Sequence, residues 1–445
     1  MKLLFISLGC DKNLVDSEQM IGLLTSEGHE IAESEEDAEG VIINTCCFIG
    51  DAKEESVQNI LEMAELKKSG DIKLLIVTGC MAQRYKDEIL EEIPEVDAIL
   101  GTSSYDEILD AVRTVSEGSR YQHFEDINRL VPDRDRRVLT TGGHFAYLKI
   151  AEGCDKRCTY CIIPKLRGKY RSVPMEKLIA QAENLAADGV KELILVAQET
   201  TVYGKDLYGK KALPELLRKL CAIKGIHWIR LLYCYPEEIT EELVEVIRNE
   251  RKICHYLDMP IQHCNDEILK RMGRRTNKAE LKQRIAYLRQ EIPDIVLRTT
   301  LITGFPGETE EQHAELVGFV DEMEFERLGV FTYSPEEDTP AAEMEGQIPE
   351  EVKEARRDEI MELQQEISAD KGSRMIGREL LCMIEGQISG ESAYIARTYA
   401  DAPQVDGYIF VQSGEQMVTG DFVKVKVTGA LEYDLIGEVA DESAE

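Results

Sequence analysis

The stretch "AEGCDKRCTYC", residues 151–161, sets Cys154, Cys158 and Cys161 at spacings of four and three. Thiolates this close along a chain can converge on one metal centre, yet no further cysteine follows until Cys221. Structural zinc sites close with a fourth protein ligand, and the short bacterial ferredoxin run ends in a cysteine followed by proline, where this chain has Ile162. Three thiolates on one loop therefore imply a cubane iron-sulfur cluster held at three irons, with the fourth iron open to a substrate. Basic side chains in and after the loop (Lys156, Arg157, Lys165, Arg167, Lys169 and Arg171) are expected to offset the negative charge of such a cluster.

A second trio is dispersed. The runs "KLLFISLGC", "GVIINTC" and "KLLIVTGC" end at Cys10, Cys46 and Cys80, which lie 36 and 34 residues apart. Each run has strand length, and each is followed by a helical pattern such as "DSEQMIGLLTSEG", with Asp16 or Ser17 as cap and Gly28 as stop. Parallel strands in a β-α repeat present their C-terminal ends along one edge, so three distant cysteines can meet there. One cysteine at a strand end is usually packing, but three at the same position of consecutive units read as ligands. Cys47 should face away from Cys46 and pack. Cys221, Cys234, Cys254, Cys264 and Cys382 share no ligand spacing and read as structural.

The elements that must position these residues fall into three series. "DAILG", ending at Gly101, extends the first parallel sheet, and the charged "VPDRDRR" reads as a boundary. A second β-α series starts at "GGHFAYLKIAEGC" and continues through "ELILVAQET", "WIRLLYCYP", "YLDMPIQ", "IVLRTTLITGFPGE" and "RLGVFTYS", six units that fit a partial (β/α)6 barrel of TIM type. Its chemistry should lie at the strand C-terminal ends, where the cysteine loop, Gln198 and Glu199, Gln262 and His263, and Gly304 to Glu308 all fall. After a long amphipathic helix, short alternating runs broken by glycines predict a small antiparallel β-barrel resembling an oligonucleotide-binding fold. The expected division is 1–130, 131–372 and 373–445, an α/β multidomain protein, in keeping with a length of 445 residues that exceeds one core.

Charge narrows the partners. With 52 basic and 85 acidic side chains the formal net charge is −33, which argues against strong nucleic-acid binding and favours a basic protein as partner. No apolar run is long enough to span a membrane, and "MKLLFISLGCDKN" meets charge too early for a signal peptide, so a cytoplasmic location is expected. Cysteines in that reducing compartment serve as ligands or packing rather than disulfides.

The C-x-x-x-C-x-x-C loop with Tyr160 before its last cysteine resembles the radical S-adenosylmethionine superfamily. That resemblance implies that the open iron chelates S-adenosylmethionine, whose one-electron cleavage yields a 5′-deoxyadenosyl radical able to take hydrogen from carbon. It also implies contacts to the methionyl amine near Gln198 and Glu199 and to adenine at "LITGFPGE", with Tyr160, Gln262, Arg298, Thr303, Gly304 and Phe305 among the cofactor-binding residues. The order of a three-cysteine sheet, a radical barrel and a small β domain similar to a TRAM module resembles the methylthiotransferases. By that resemblance Cys10, Cys46 and Cys80 bind a second 4Fe-4S cluster, which holds the sulfur to be transferred.

Within that family, "SLGCDKNLVDSE", "MPIQHCNDEILKRMGRR" and "ARTYADAPQVDG" resemble the branch that adds a methylthio group to the β-carbon of an aspartate in ribosomal protein S12. The implied partners are this basic small-subunit protein, the ribosome, and an electron donor such as flavodoxin or ferredoxin. Tyr394, Arg397 and Asp406 are candidate substrate contacts, while His144, His255 and His263 read as structural. The alternatives are a tRNA adenosine methylthiotransferase, a radical enzyme that only methylates or rearranges its substrate and so leaves the strand-end trio idle, and a non-catalytic ribosome-associated iron-sulfur protein.

Overall fold

The computed structural model describes residues 1–132 and 137–440. Residues 133–136 of the expected boundary lie outside them.

The first sheet is six-stranded and wholly parallel, in the order β2-β1-β3-β4-β5-β6. It comprises β1 (Lys2–Ser7), β2 (Glu30–Ile31), β3 (Gly40–Thr45), β4 (Leu74–Gly79), β5 (Ala98–Leu100) and β6 (Tyr121–His123). Every residue of β3 and β4 is buried, as apolar runs covered on both faces by crossover helices must be. Apolar clusters fill both faces, one around Val41, Ile43 and Val77 and the other around Leu3, Ile42 and Ile76. The edge strands β2 and β6 were not among the expected runs.

The second sheet is also parallel, in the order β14-β13-β12-β11-β10-β7, and curls into a partial barrel left open between β7 and β14. Its strands are β7 (Phe145–Lys149), β10 (Glu192–Val196), β11 (Trp228–Leu231), β12 (Ile253–Asp258), β13 (Val296–Thr303) and β14 (Arg327–Thr332), and β8 (Ala151–Glu152) pairs with β9 (Arg171–Ser172) as a two-stranded ribbon. The outer face packs Leu193, Leu231 and Leu297 against the helices. On the other face Phe145, Tyr147, Ile194, Trp228, Tyr256 and Val296 form a second apolar layer, joined by Val15 from the helix Asp11–Ser26 and by Met383 and Ala402 of the third domain.

The helix Glu350–Ser373 leads to β15 (Glu379–Gln387), β16 (Ala393–Thr398), β17 (Ile409–Gln412), β18 (Phe422–Ala430) and β19 (Leu435–Val439), a closed barrel in the order β15-β16-β17-β19-β18. One pair, β17 with β19, is parallel rather than antiparallel as expected throughout. The reason is parity: directions that alternate around a closed ring of five must coincide once. Among the described residues no helix is long and apolar enough to cross a membrane.

Candidate functional site

Cys154, Cys158 and Cys161 sit on the loop that follows β7 and β8, at the C-terminal edge of the partial barrel. Backbone bonds pin this loop on two sides: Cys154 N–H donates to Gly168 O at 3.1 Å, and Thr159 N–H to Met272 O at 3.0 Å. Cys154 and Cys158 are buried and Cys161 is half-buried. Burial pushes Cys154 up to about 12, and burial with the neighbouring Cys158 raises Cys161. The Tyr235 hydroxyl lies 3.9 Å from Cys158 Sγ, and the Arg274 guanidinium stacks on the Tyr235 ring at 4.2 Å.

The expected strand-end residues gather around this loop. Glu199 is buried, accepts from Thr201 Oγ1 at 2.9 Å and stands 3.6 Å from Lys156 Nζ. Burial, opposed by Lys156, pushes its carboxyl up to about 7. Gln198 donates to Glu152 Oε1 at 2.8 Å and leaves its own Oε1 buried without a partner. Gln262 has φ +69, a left-handed conformation that side-chain-bearing residues rarely hold, and such strain gathers at functional sites. Tyr160 packs on the apolar group of Ile268, Met272, Phe305 and Tyr333, which puts an aromatic wall beside the cysteine loop.

The turn after β13 is anchored from beneath. Thr303 is buried, and Gly304 has φ +70, with room for a side chain removed by Lys353, whose Cγ would lie 2.2 Å from an added Cβ. The Gly304 N–H donates to Glu308, which also meets His263 at 3.3 Å and Arg356 at 3.3 Å. Burial alone would raise Glu308, but the hydrogen bond from His263, the nearby His313 imidazole at 3.7 Å and the Arg356 charge carry it down to about 2.

The dispersed trio converges as expected at the C-terminal ends of its sheet: Cys10 precedes the helix Asp11–Ser26, Cys46 follows β3, and Cys80 follows β4. Gly9, with φ +86, lets the chain pass so close that an added Cβ would lie 2.5 Å from Cys46 Cβ. Asn13 ties the ends of β1 and β3 together by donating to Leu8 O and Thr45 O, both at 2.9 Å, Thr45 Oγ1 continues the tie to β4 through Thr78 O at 2.5 Å, and Ser56 Oγ donates to Cys46 O at 2.8 Å. Burial, reinforced by Cys80 and Cys10, pushes Cys46 up to about 12. Cys47 packs in the apolar cluster.

The two trios share a boundary. Arg167, on the short helix after Cys161, reaches across to Asp16 at 2.8 Å and also contacts Asn13, Glu152 and Cys80. Tyr233, with φ +58, donates to Asp11 at 3.0 Å, and Lys12 Nζ stands 3.4 Å over its ring. On the far side Gly50 N–H donates to Ser334 Oγ at 3.1 Å and Arg84 to Glu336 at 2.9 Å. The sheet domain thus spans the partial barrel with its cysteine edge turned toward the barrel's own.

The donor set fits iron-sulfur clusters. Among the described residues no three of His, Cys, Asp and Glu group tightly enough for a single metal ion, whereas a cubane spreads its thiolates over separate irons. Buried thiols with raised pKa values must lose protons to bind iron, so their charge is stable only with a cationic partner.

Five expectations need correction. Arg397 is fully buried, bonded to Glu192 and Glu385, both at 2.8 Å, and no substrate can touch it. Asp406 accepts from Tyr256 at 2.7 Å and faces Arg298 at 3.4 Å, while Tyr394 is 3% exposed and bonds Glu415 O and Met417 N–H. These three serve the barrel-to-barrel junction and the third domain's core. Arg298, expected at the cofactor, is taken up by Asp258 at 2.8 Å and by Asp406. Most loop cations are also engaged elsewhere: Lys156 with Glu238 at 2.7 Å, Lys165 with Asp338 O at 2.9 Å, Arg167 across the domain boundary, and Arg171 with backbone carbonyls of Arg167 and Lys169. The sequence reading missed Arg274 and Tyr235; Arg274 stands in the quoted "MPIQHCNDEILKRMGRR", and its burial there gave no local signal.

Residues 2–101 match the family described as uncharacterized protein family UPF0004, residues 148–320 the Radical SAM superfamily and residues 376–440 the TRAM domain. A protein of Lachnoclostridium phytofermentans named ribosomal protein uS12 methylthiotransferase RimO is 63% identical, over 98% of this chain and 99% of its own. Proteins of the same name from Acetivibrio thermocellus and Clostridioides difficile are 52% and 50% identical over 99% and 100% of this chain, and 98% and 100% of theirs. Among solved structures, the radical S-adenosylmethionine methyltransferase TsrM of Kitasatospora setae, with cobalamin and a [4Fe-4S] cluster bound, has a TM-score of 0.55 at 15% identity over 76% of each chain, a likeness of fold.

Proposed function

The chain belongs to the ribosomal protein uS12 methylthiotransferase RimO family, and from that membership we propose which of its residues carry the activity. It is a radical S-adenosylmethionine methylthiotransferase of ribosomal protein uS12 and uses S-adenosylmethionine and two 4Fe-4S clusters. The observation that carries the assignment of roles is the pair of cysteine trios facing one another across a domain boundary. Cys154, Cys158 and Cys161 would hold one cluster and Cys10, Cys46 and Cys80 the other. When bound, the barrel cluster with S-adenosylmethionine supplies the radical chemistry that opens a carbon–hydrogen bond, and the second cluster supplies sulfur.

The chain's own residues orient and shield. Glu199 and Gln198 offer a carboxylate and an unpaired carbonyl oxygen to the methionyl amine. Tyr160 and Phe305 wall the adenine side, Gln262, Thr303 and Gly304 frame it, and the Glu308 anchor fixes the turn. Two sheet domains and a floor would correspond to 1–130, 131–372 and 373–445. The modified atom would be the β-carbon of an aspartate; an acidic surface suits a basic protein better than RNA, with a flavodoxin or ferredoxin as electron donor, the assembling ribosome as setting and the cytoplasm as location.

Mass spectrometry of uS12 from cells with and without this gene tests the reading. A methylthio increment on one aspartate that needs the gene supports it, and methylthio-adenosine in RNA instead would overturn it. Replacing Cys10, Cys46 and Cys80 by alanine should halve the bound iron and leave S-adenosylmethionine cleavage intact.

A further inference from the structure

Arg274 is an anomaly of buried polarity. Its side chain is 0% exposed, yet only Nη2 has a hydrogen-bond acceptor, Pro260 O at 2.9 Å. Nε and Nη1 are buried without a partner, and Glu237 stands 4.0 Å from Nη2, beyond hydrogen-bond reach. Leaving a buried donor unmade is costly, and more so on a charged group, so two on one guanidinium imply an acceptor that the polypeptide does not supply.

Position says what that acceptor is. The guanidinium lies over the face of Tyr235 at 4.2 Å, the Tyr235 hydroxyl lies 3.9 Å from Cys158 Sγ, and Tyr160 and Cys158 are near enough for any charge on them to be felt by Arg274. Lys156, over the other side of the site at 4.9 Å from the Tyr235 ring centroid, is neutralised by Glu199, Glu237 and Glu238, and Lys165, Arg167 and Arg171 are engaged elsewhere, whereas Arg274 is a fully buried cation near Cys158 with donors to spare. Positive charge and hydrogen bonds to the sulfurs are two of the levers by which a protein raises the reduction potential of an iron-sulfur cluster.

We propose that Arg274, seated on Tyr235, is a positioning residue that donates to the sulfur corner at Cys158 and raises the reduction potential of the cluster on Cys154, Cys158 and Cys161. Tyr235 acts in the same direction through its hydroxyl and holds the guanidinium flat against its ring. The inference rests on the assignment of that trio as a cluster site. It deepens that assignment by naming what sets how readily the cluster accepts an electron.

The test is a potentiometric titration followed by electron paramagnetic resonance on the full-length, anaerobically reconstituted protein, with iron content measured alongside. Arg274→Gln should keep full iron and lower the reduction equilibrium constant about tenfold, which for a one-electron couple is about 59 mV. Arg274→Lys should recover part of the shift, and Tyr235→Phe should move the potential the same way by less. Equal potentials in wild type and Arg274→Gln, at full iron, overturn the inference. If Arg274→Gln does not hold iron, Tyr235→Phe decides alone, and an unchanged potential there overturns it as well. A wild-type protein with no cluster on this trio would instead sink the assignment beneath it.

Discussion

The two cysteine trios reach similar surroundings by opposite routes. In the barrel, three thiols sit within eight residues of one loop, and backbone bonds pin that loop from Gly168 and Met272. In the first sheet, three thiols come from separate β-α units and meet because parallel strands share an edge. Each trio has one buried arginine beside it, but Arg167 is saturated by Asp16, Asn13 and Glu152, whereas Arg274 keeps two donors unmade. The difference teaches that the polypeptide satisfies the arginine beside the dispersed trio, whereas the arginine beside the loop trio keeps donors for what that site binds.

The largest expected effect separates the trios. Cys158→Ala should abolish both S-adenosylmethionine cleavage and methylthio transfer, while Cys80→Ala should abolish transfer and spare cleavage; loss of cleavage in both would erase the distinction. Next comes the junction beneath the barrel. Glu192→Ala strands Arg230 and Arg397 in a site where all three are fully buried, and loss of one partner of such a pair costs about 3–5 kcal/mol, readable by chemical denaturation.

Glu308 tests how the loop site is anchored. Its carboxyl falls from 4.5 to about 2 on folding, so its stabilisation is complete above pH 4.5 and fades as pH drops toward 2. Glu308→Gln should remove on the order of 3 kcal/mol at neutral pH and flatten that acid limb in a pH series of denaturation midpoints. Gly9→Ala tests the dispersed site with a smaller change, about 1–3 kcal/mol of backbone strain, and should selectively lower iron at the first sheet. Tyr394→Phe should be mildest, about 1–2 kcal/mol from the two lost hydroxyl hydrogen bonds, with transfer unaffected.

Much of the architecture was legible in the chain. The long apolar runs became β1, β3, β4 and the six barrel strands, and both trios lie where strand C-terminal ends were expected. The edge strands β2 and β6 were not, because two or three residues are too few to carry a period. The parallel β17–β19 pair was hidden because neighbours around a closed ring are a tertiary matter. Asp406 and Arg397 read as substrate contacts because charged side chains on a small β-barrel are expected at its surface. Their partners Arg298 and Glu192 lie more than a hundred residues away, so nothing local marked them as buried.

The third domain has a consequence for traffic. Its contacts fall on the N-terminal ends of the barrel strands: His144 with Glu385, Glu192 with Arg397, Trp228 with Phe422, and Arg327 with Asp401. With the N-terminal ends floored in this way, the C-terminal edge that carries both trios is the edge left for approach, so cofactor and protein substrate must come to the same side of the barrel.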